Sequence, residues 1–360
     1  MEKIYLKWPI TSSCPLDCVF CNNKKERKNW PNELKQDGIN DFTEFVNENN
    51  EHILGITITG GEPICHPNFI ELCKNLRINF GFITSGLNLT DSKYSPIFEN
   101  ENLKFITISI DCLDKNIVES IRGKDILDEQ IKSLKYLINF KKNNPGFKVF
   151  VNTVVTKLNI NNIKELILNL SEVNVDRIQL FKFHPTGDEK IDNNLKISVE
   201  DENEIAEDIV NLYIENEKRW KENGFDLSIR FLSAAQGYSL ERKFDRELPI
   251  KAKGCDIRKN TIHLKTDTRL KLCKKYYHDE KWKFIKKLQI KDLDLNDVIP
   301  NFLVKIKDDV LERHHYNNYI PCSKCKLLLK TCHPCPELCR DEREYVNIAY
   351  CDIYKKDICF

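Results

Sequence analysis

The chain of 360 residues carries 56 basic and 55 acidic side chains, a formal net charge of +1, which points to no nucleic-acid partner and no membrane surface. Its length predicts two domains, no apolar run can span a bilayer, and the start MEKIYLKWPITSSC lacks signal-peptide character, so a cytoplasmic protein is expected. Fifteen cysteines are a high and odd count, which inside a cell points to metal or redox work rather than disulfides. From residue 4 to about 235, short β-rich runs alternate with stretches of helical periodicity, the pattern of a parallel sheet of strand–helix units. Strands are predicted at 4–9, 55–59, 81–85, 105–110, 149–156 and 177–183, and helices at 32–47, 67–76, 94–99, 126–142, 163–171 and 199–223. Asp201 and Glu202 suit the first turn of the last helix, and Gly224 suits its C-terminal stop. Six strands suit a partial barrel, and the chemically interesting residues fall at strand C-terminal ends, where βα barrels place their sites. A further short strand is expected at 227–231, a domain boundary near 235–254, and no regular structure over 237–254. A β-hairpin is expected over 260–276, with Asp267 and Thr268 in its turn. Nine of the fifteen cysteines lie between Cys255 and Cys359.

Cys14, Cys18 and Cys21 in TSSCPLDCVFCNN are spaced C-x3-C-x2-C. Thiolates are the usual ligands of iron–sulfur clusters and a four-iron cube normally takes four, so three on one loop leave an iron open to bind a substrate. Alone, the trio equally suits zinc or small core residues. Short motifs count only in a confirming context, and here Gly60, Gly61, Glu62 and Pro63 (GGEP), Ser109, Ile110 and Asp111 (SID), and Ile121, Arg122 and Gly123 (IRG) follow. The paired glycines allow backbone to approach a ligand closely, although a plain βα turn uses them too. Ser109 and Asp111 alternate along a predicted strand, so their side chains share a face at its end.

The trio, Phe20 just before its last cysteine, ITITGGEP, SID and IRG together resemble the radical S-adenosylmethionine (radical SAM) superfamily. The resemblance implies a 4Fe–4S cluster on Cys14, Cys18 and Cys21 whose open iron chelates the amino and carboxylate groups of S-adenosylmethionine. It implies Phe20 near the adenine, Gly60, Gly61, Glu62 and Pro63 at the amino group, and Ser109 and Asp111 on ribose or carboxylate. Arg122 is implied at the methionine carboxylate, and Asn152 and Thr153 near the adenosine. His184 is either a substrate-facing residue or a capped loop histidine. Cys112 follows Asp111 where relatives carry a small residue; it is either a hydrogen donor to a substrate radical or merely small there. Cys65 and Cys73 belong to neither cysteine group.

The C-terminal cysteines are Cys255 and Cys273, then Cys322, Cys325, Cys332, Cys335 and Cys339 in CSKCKLLLKTCHPCPELCR, then Cys351 and Cys359. They resemble the SPASM domain, which holds two auxiliary 4Fe–4S clusters. The resemblance implies one cluster on Cys322, Cys325, Cys351 and either Cys332 or Cys335, and another on Cys255, Cys273, Cys339 and one more ligand. Zinc on the C-x2-C-x6-C-x2-C run, or a shortened single-cluster domain, stays open. Two departures stand out: Thr268 occupies the place of an expected glycine, with Asp267 expected to supply the turn conformation, and the segment from Cys325 to Cys339 holds an extra cysteine and extra residues. The implied fold is a partial (β/α)6 TIM-type barrel over residues 1–235, followed by a SPASM/twitch-like domain over 236–360. The implied activity is reductive cleavage of S-adenosylmethionine and hydrogen abstraction from a ribosomally made peptide or protein side chain, for crosslinking, epimerisation or oxidation. A small-molecule oxidase or dehydrogenase is the second reading and a zinc-stabilised binding protein the third. The first strand begins within a few residues of Met1, so peptide recognition is expected to need a separate leader-binding protein or the barrel and cap surface. An external electron donor such as flavodoxin or ferredoxin is also expected.

Overall fold

A computed structural model describes residues 3–21, 24, 31–232, 234–250, 260–271 and 287–297. Seven strands lie side by side in chain order, every neighbouring pair parallel: β1 (Ile4–Thr11), β2 (Ile53–Gly60), β3 (Phe80–Thr84), β4 (Leu103–Ser109), β5 (Lys148–Val155), β6 (Arg177–Lys182) and β7 (Asp226–Arg230). Parallel neighbours need crossovers, which helices supply. These are α1 (Gln36–Glu48), α2 (Phe69–Asn75), α3 (Ser95–Phe98), α4 (Lys115–Arg122), α5 (Leu127–Asn143), α6 (Ile163–Glu172), α7 (Glu189–Leu195) and α8 (Val199–Glu222), with α9 (Ala234–Phe244) after β7. The in-order parallel sheet is a partial TIM-type barrel, with seven strands where six were expected, because the short run at 227–231 joins it as β7. The segment expected to lack regular structure contains most of α9.

The hairpin of the C-terminal segment completes the same sheet. β8 (Thr261–Leu264) pairs in parallel with the outer edge of β1, and β9 (Leu270–Lys271) returns antiparallel to β8. The turn corrects one expectation: the left-handed residue is Thr268 itself, at φ 63°, an unfavourable conformation for a β-branched side chain. Asp267 instead accepts the Arg269 amide and pairs with the Arg269 guanidinium. Among the described residues no helix is long and apolar enough to cross a membrane.

Strand alternation divides the sheet into two unlike faces. In β1, Ile4, Leu6, Trp8 and Ile10 are fully buried while Tyr5, Lys7 and Pro9 are half-exposed, and β5 repeats the contrast. The buried face packs against the helices; Trp8, for example, lies with its ring centroid 4.4 Å from that of Phe42 in α1. The other face is aromatic and polar. Tyr5 bonds Thr57 at 2.9 Å, Phe150 lies against Phe105 and under Arg177, and Gln179 donates to Asn152 at 3.0 Å. A half-exposed face of this kind leaves room for ligands at the strand ends.

Candidate functional site

Beyond Thr11 the chain enters the loop bearing Cys14, Cys18 and Cys21, and three sets of contacts fix it. The Gly61 amide donates to the Thr11 carbonyl at 2.7 Å and the Glu62 amide to Ser13 at 2.8 Å, tying the loop to the end of β2. The Asp17 and Val19 amides donate to the Arg122 and Ile121 carbonyls, tying it to the end of α4. Glu33 accepts the Thr11 hydroxyl at 2.8 Å, the Ser12 amide at 2.7 Å and the Ser12 hydroxyl at 3.0 Å. Burial pushes the Glu33 carboxyl up, but these donors outweigh it and hold it below its ordinary value, so the clamp is a carboxylate at neutral pH. Sequence reasoning missed Glu33, because its partners are more than twenty residues away and no local motif marks it.

The hairpin reaches this region as well. The Thr266 hydroxyl donates to the Pro31 carbonyl at 2.6 Å and the Trp8 indole to the Thr266 carbonyl at 3.4 Å. The three loop cysteines are half-buried free thiols, and the Cys21 amide closes a turn onto the Cys18 carbonyl at 3.1 Å. Among the described residues no three His, Cys, Asp or Glu side chains gather as a single-ion site.

Gly60 and Gly61 are required first by the protein's own backbone. A Cβ on Gly61 would stand 2.1 Å from the Ser13 carbonyl oxygen, and one on Gly60, at φ 152°, 2.6 Å from that of Thr11. Glu62, next in line, is fully buried; its Oε2 accepts the Ser85 amide at 2.7 Å and the Ser85 hydroxyl at 2.6 Å. Burial pushes its carboxyl up, opposed by Ser85 and, more weakly, by Thr84 and the Ile64 amide. None of these closes a hydrogen bond to Oε1, which stays buried and unmatched. Such an oxygen suits a cationic donor, as an amino group is. Pro63 opens the 3-10 turn Pro63–Cys65 and is buried.

The largest correction concerns Asp111 and Arg122. Asp111 lies past the end of β4 and turns into the protein, where its Oδ1 accepts the Val154 amide at 2.9 Å and its Oδ2 pairs with Arg122. It is buried in these contacts rather than open on the accessible face. α4 was not expected, although its signals are present: the Asp114 side chain caps the amides of Asn116 and Ile117, and left-handed Gly123 ends the helix. This helix delivers Arg122, whose Nη1 donates to Cys18 Sγ at 3.7 Å and Nη2 to the Ser109 carbonyl at 3.0 Å, with its guanidinium 5.4 Å from the Phe20 ring centroid. Arg122 is thus engaged with the cysteine loop rather than presented as an open fork for a carboxylate. Gln130, also missed, joins the ends of β3 and β4 by donating to the Ser109 carbonyl at 2.6 Å and the Ser85 carbonyl at 3.3 Å. A polar residue among the buried Leu127, Ser133, Leu134 and Leu137 positions of α5 was the readable signal.

Ser109 and Asn152 are register partners and half-buried on the accessible face. Thr153 points the other way, donating to the Ile110 carbonyl at 2.6 Å, fully buried, and so is not placed to approach an adenosine. His184 is exposed beyond β6. Cys112 is fully buried among Leu16, Leu87, Val118, Ile126 and Leu127, with Cys14 and Cys18 packed against this cluster, and its sulfur receives the Asp114 amide at 3.4 Å. That setting is one of packing. Cys112→Ala is therefore expected to leave product formation nearly normal in a turnover assay; hydrogen abstraction without product would restore the donor reading. Cys73 is buried in the main core, whereas Cys65 is exposed and its thiol is pushed up to about 11, by burial first and then by Glu62. Cys255, Cys273, Cys322, Cys325, Cys332, Cys335, Cys339, Cys351 and Cys359 lie outside the described residues.

Residues 8–170 match the family model of the Radical SAM superfamily. The chain is 26% identical over 187 residues to a probable GTP 3',8-cyclase of Sulfurisphaera tokodaii, covering 51% of this chain and 56% of that protein. It is 24% identical over 281 residues to a probable GTP 3',8-cyclase of Metallosphaera sedula, covering 77% and 81%. Among solved structures, Streptococcus suis SuiB bound to precursor peptide SuiA is similar at a TM-score of 0.68 and 20% identity, over 98% of this chain and 76% of that one. The cofactors of a radical SAM domain are a 4Fe–4S cluster and S-adenosylmethionine. The residues present fit both: three free thiols on one clamped loop, and beside it a buried carboxylate oxygen lacking a partner.

Proposed function

We propose that this chain, which carries a radical SAM domain, modifies a peptide or protein side chain by hydrogen abstraction. In this reading Cys14, Cys18 and Cys21 hold the cluster, and Glu62 Oε1 receives the amino group of S-adenosylmethionine. When bound, cluster and cofactor together supply a 5'-deoxyadenosyl radical that removes hydrogen from a substrate C–H bond. The chain's own work is to hold and exclude. Glu33, the β2 end and α4 fix the cysteine loop, and the half-exposed face with Phe105, Phe150, Asn152 and Gln179 bounds the substrate space and limits water there. Residues 236–360 act as a SPASM-like cap whose cysteines hold auxiliary clusters.

The observation that carries the peptide reading is the likeness in fold to a protein bound to its precursor peptide, over 98% of the chain. A second reading, a nucleotide or other small-molecule substrate, is favoured by the likeness to GTP 3',8-cyclases. The test supplies reconstituted protein with S-adenosylmethionine, reductant and either peptides encoded in neighbouring reading frames or GTP. A mass change in a peptide matched by 5'-deoxyadenosine release is expected. Turnover of GTP with every peptide unchanged would transfer the proposal to the second reading.

A further inference from the structure

Arg122 and Asp111 are both nearly inaccessible to water, at 8% and 1% side-chain exposure, and they form an ion pair. The pair is oriented. Its guanidinium end touches the Cys18 sulfur at 3.7 Å, while its carboxylate end is held by the Val154 amide at 2.9 Å. Phe20 against the guanidinium and the Ser109 carbonyl on Nη2 restrict the ways the fork can turn. A bare buried guanidinium would be costly, and the paired carboxylate offsets that cost without cancelling the field at short range.

We propose that Arg122 and Asp111 are positioning residues that set the reduction potential of the cluster held through Cys18, the near guanidinium raising it and the farther carboxylate lowering it. The inference rests on the cluster reading of Cys14, Cys18 and Cys21. Reduction adds one electron, supplied by an external reductant, to a group already surrounded by thiolates. A positive donor on one of those sulfurs stabilises the more negative state, and hydrogen bonding to cluster sulfurs is a known lever on potential. Because the site is buried, water screens the effect little.

The test is an anaerobic redox titration of the full-length reconstituted protein, followed by the reduced-cluster EPR signal that S-adenosylmethionine perturbs. Arg122→Gln is expected to make reduction at least tenfold less favourable, equivalent to about 59 mV for one electron. Asp111→Asn, which removes the opposing charge and keeps the Arg122 contact, is expected to shift the potential in the opposite direction. Arg122→Lys keeps the charge, loses the fork and should fall between wild type and Arg122→Gln; it also serves if Arg122→Gln binds no iron. A purely structural role would lower iron content without opposite shifts. Displacement of Arg122→Gln and Asp111→Asn in one direction, or Arg122→Lys and Asp111→Asn both at the wild-type potential, would overturn the inference. Absence of any cofactor-perturbed signal in the wild-type protein would instead defeat the cluster reading beneath it.

Discussion

Replacing Cys14, Cys18 and Cys21 together by alanine is expected to reduce 5'-deoxyadenosine formation under dithionite to background. All three thiols belong to one loop, and a cluster that has lost every protein thiolate has nothing to hold it. The fold should survive the change, since each half-buried substitution removes a single sulfur, at a cost of about 1 kcal/mol or less. The loop stays tied by Glu33, by Gly61 and by the Asp17 and Val19 amides on the end of α4, none of which uses a cysteine side chain, although the Arg122 contact to the Cys18 sulfur is lost. Iron held by the C-terminal cysteines should remain and can be measured in the same sample. Cofactor cleavage that persists in the triple variant would place the chemistry elsewhere in the chain.

Asp111→Ala is expected to destabilise the protein by roughly 3–5 kcal/mol, because it leaves the Arg122 guanidinium buried without its counter-charge. The Val154 amide loses its acceptor in the same step. Against a total stability of about 5–15 kcal/mol this is a large fraction, visible as a lower urea midpoint with an unchanged slope. The sequence alone led to a different expectation for this residue, a hydrogen bond to ribose or carboxylate whose loss weakens cofactor binding. A second substitution separates the two accounts: Arg122→Met added to Asp111→Ala removes the stranded charge and should restore part of the lost stability. A single variant as stable as wild type would show that the pair is not needed for folding.

What was legible in the sequence was local. The spacing of Cys14, Cys18 and Cys21, the glycines before Glu62, the period-two strands and the stop at Gly224, which adopts φ 70°, all depend on residues close together in the chain. The cap and stop of α4, Asp114 and Gly123, are equally local signals. Alternation also explains why Ser109 and Asn152, register partners, share the accessible face, because side-chain direction in a strand follows from position alone.

The partners of the charged and polar groups were decided by tertiary structure. Asp111 alternates with Ser109 in the sequence, but β4 ends at Ser109, so the two-residue period no longer governs where Asp111 points. Arg122 meets Cys18 across 104 positions and Thr266 meets Pro31 across 235, distances over which no periodicity carries information. Glu33 has the same character: a carboxylate becomes a clamp only where folding delivers three donors to it. The sequence by itself determined which chemistry the chain can host, since thiol spacing and close-approach glycines are written residue by residue. Only the fold decided which charges surround that chemistry, because burying an ion obliges it to find a counter-charge, and the nearest one in space is set by how strands and helices pack.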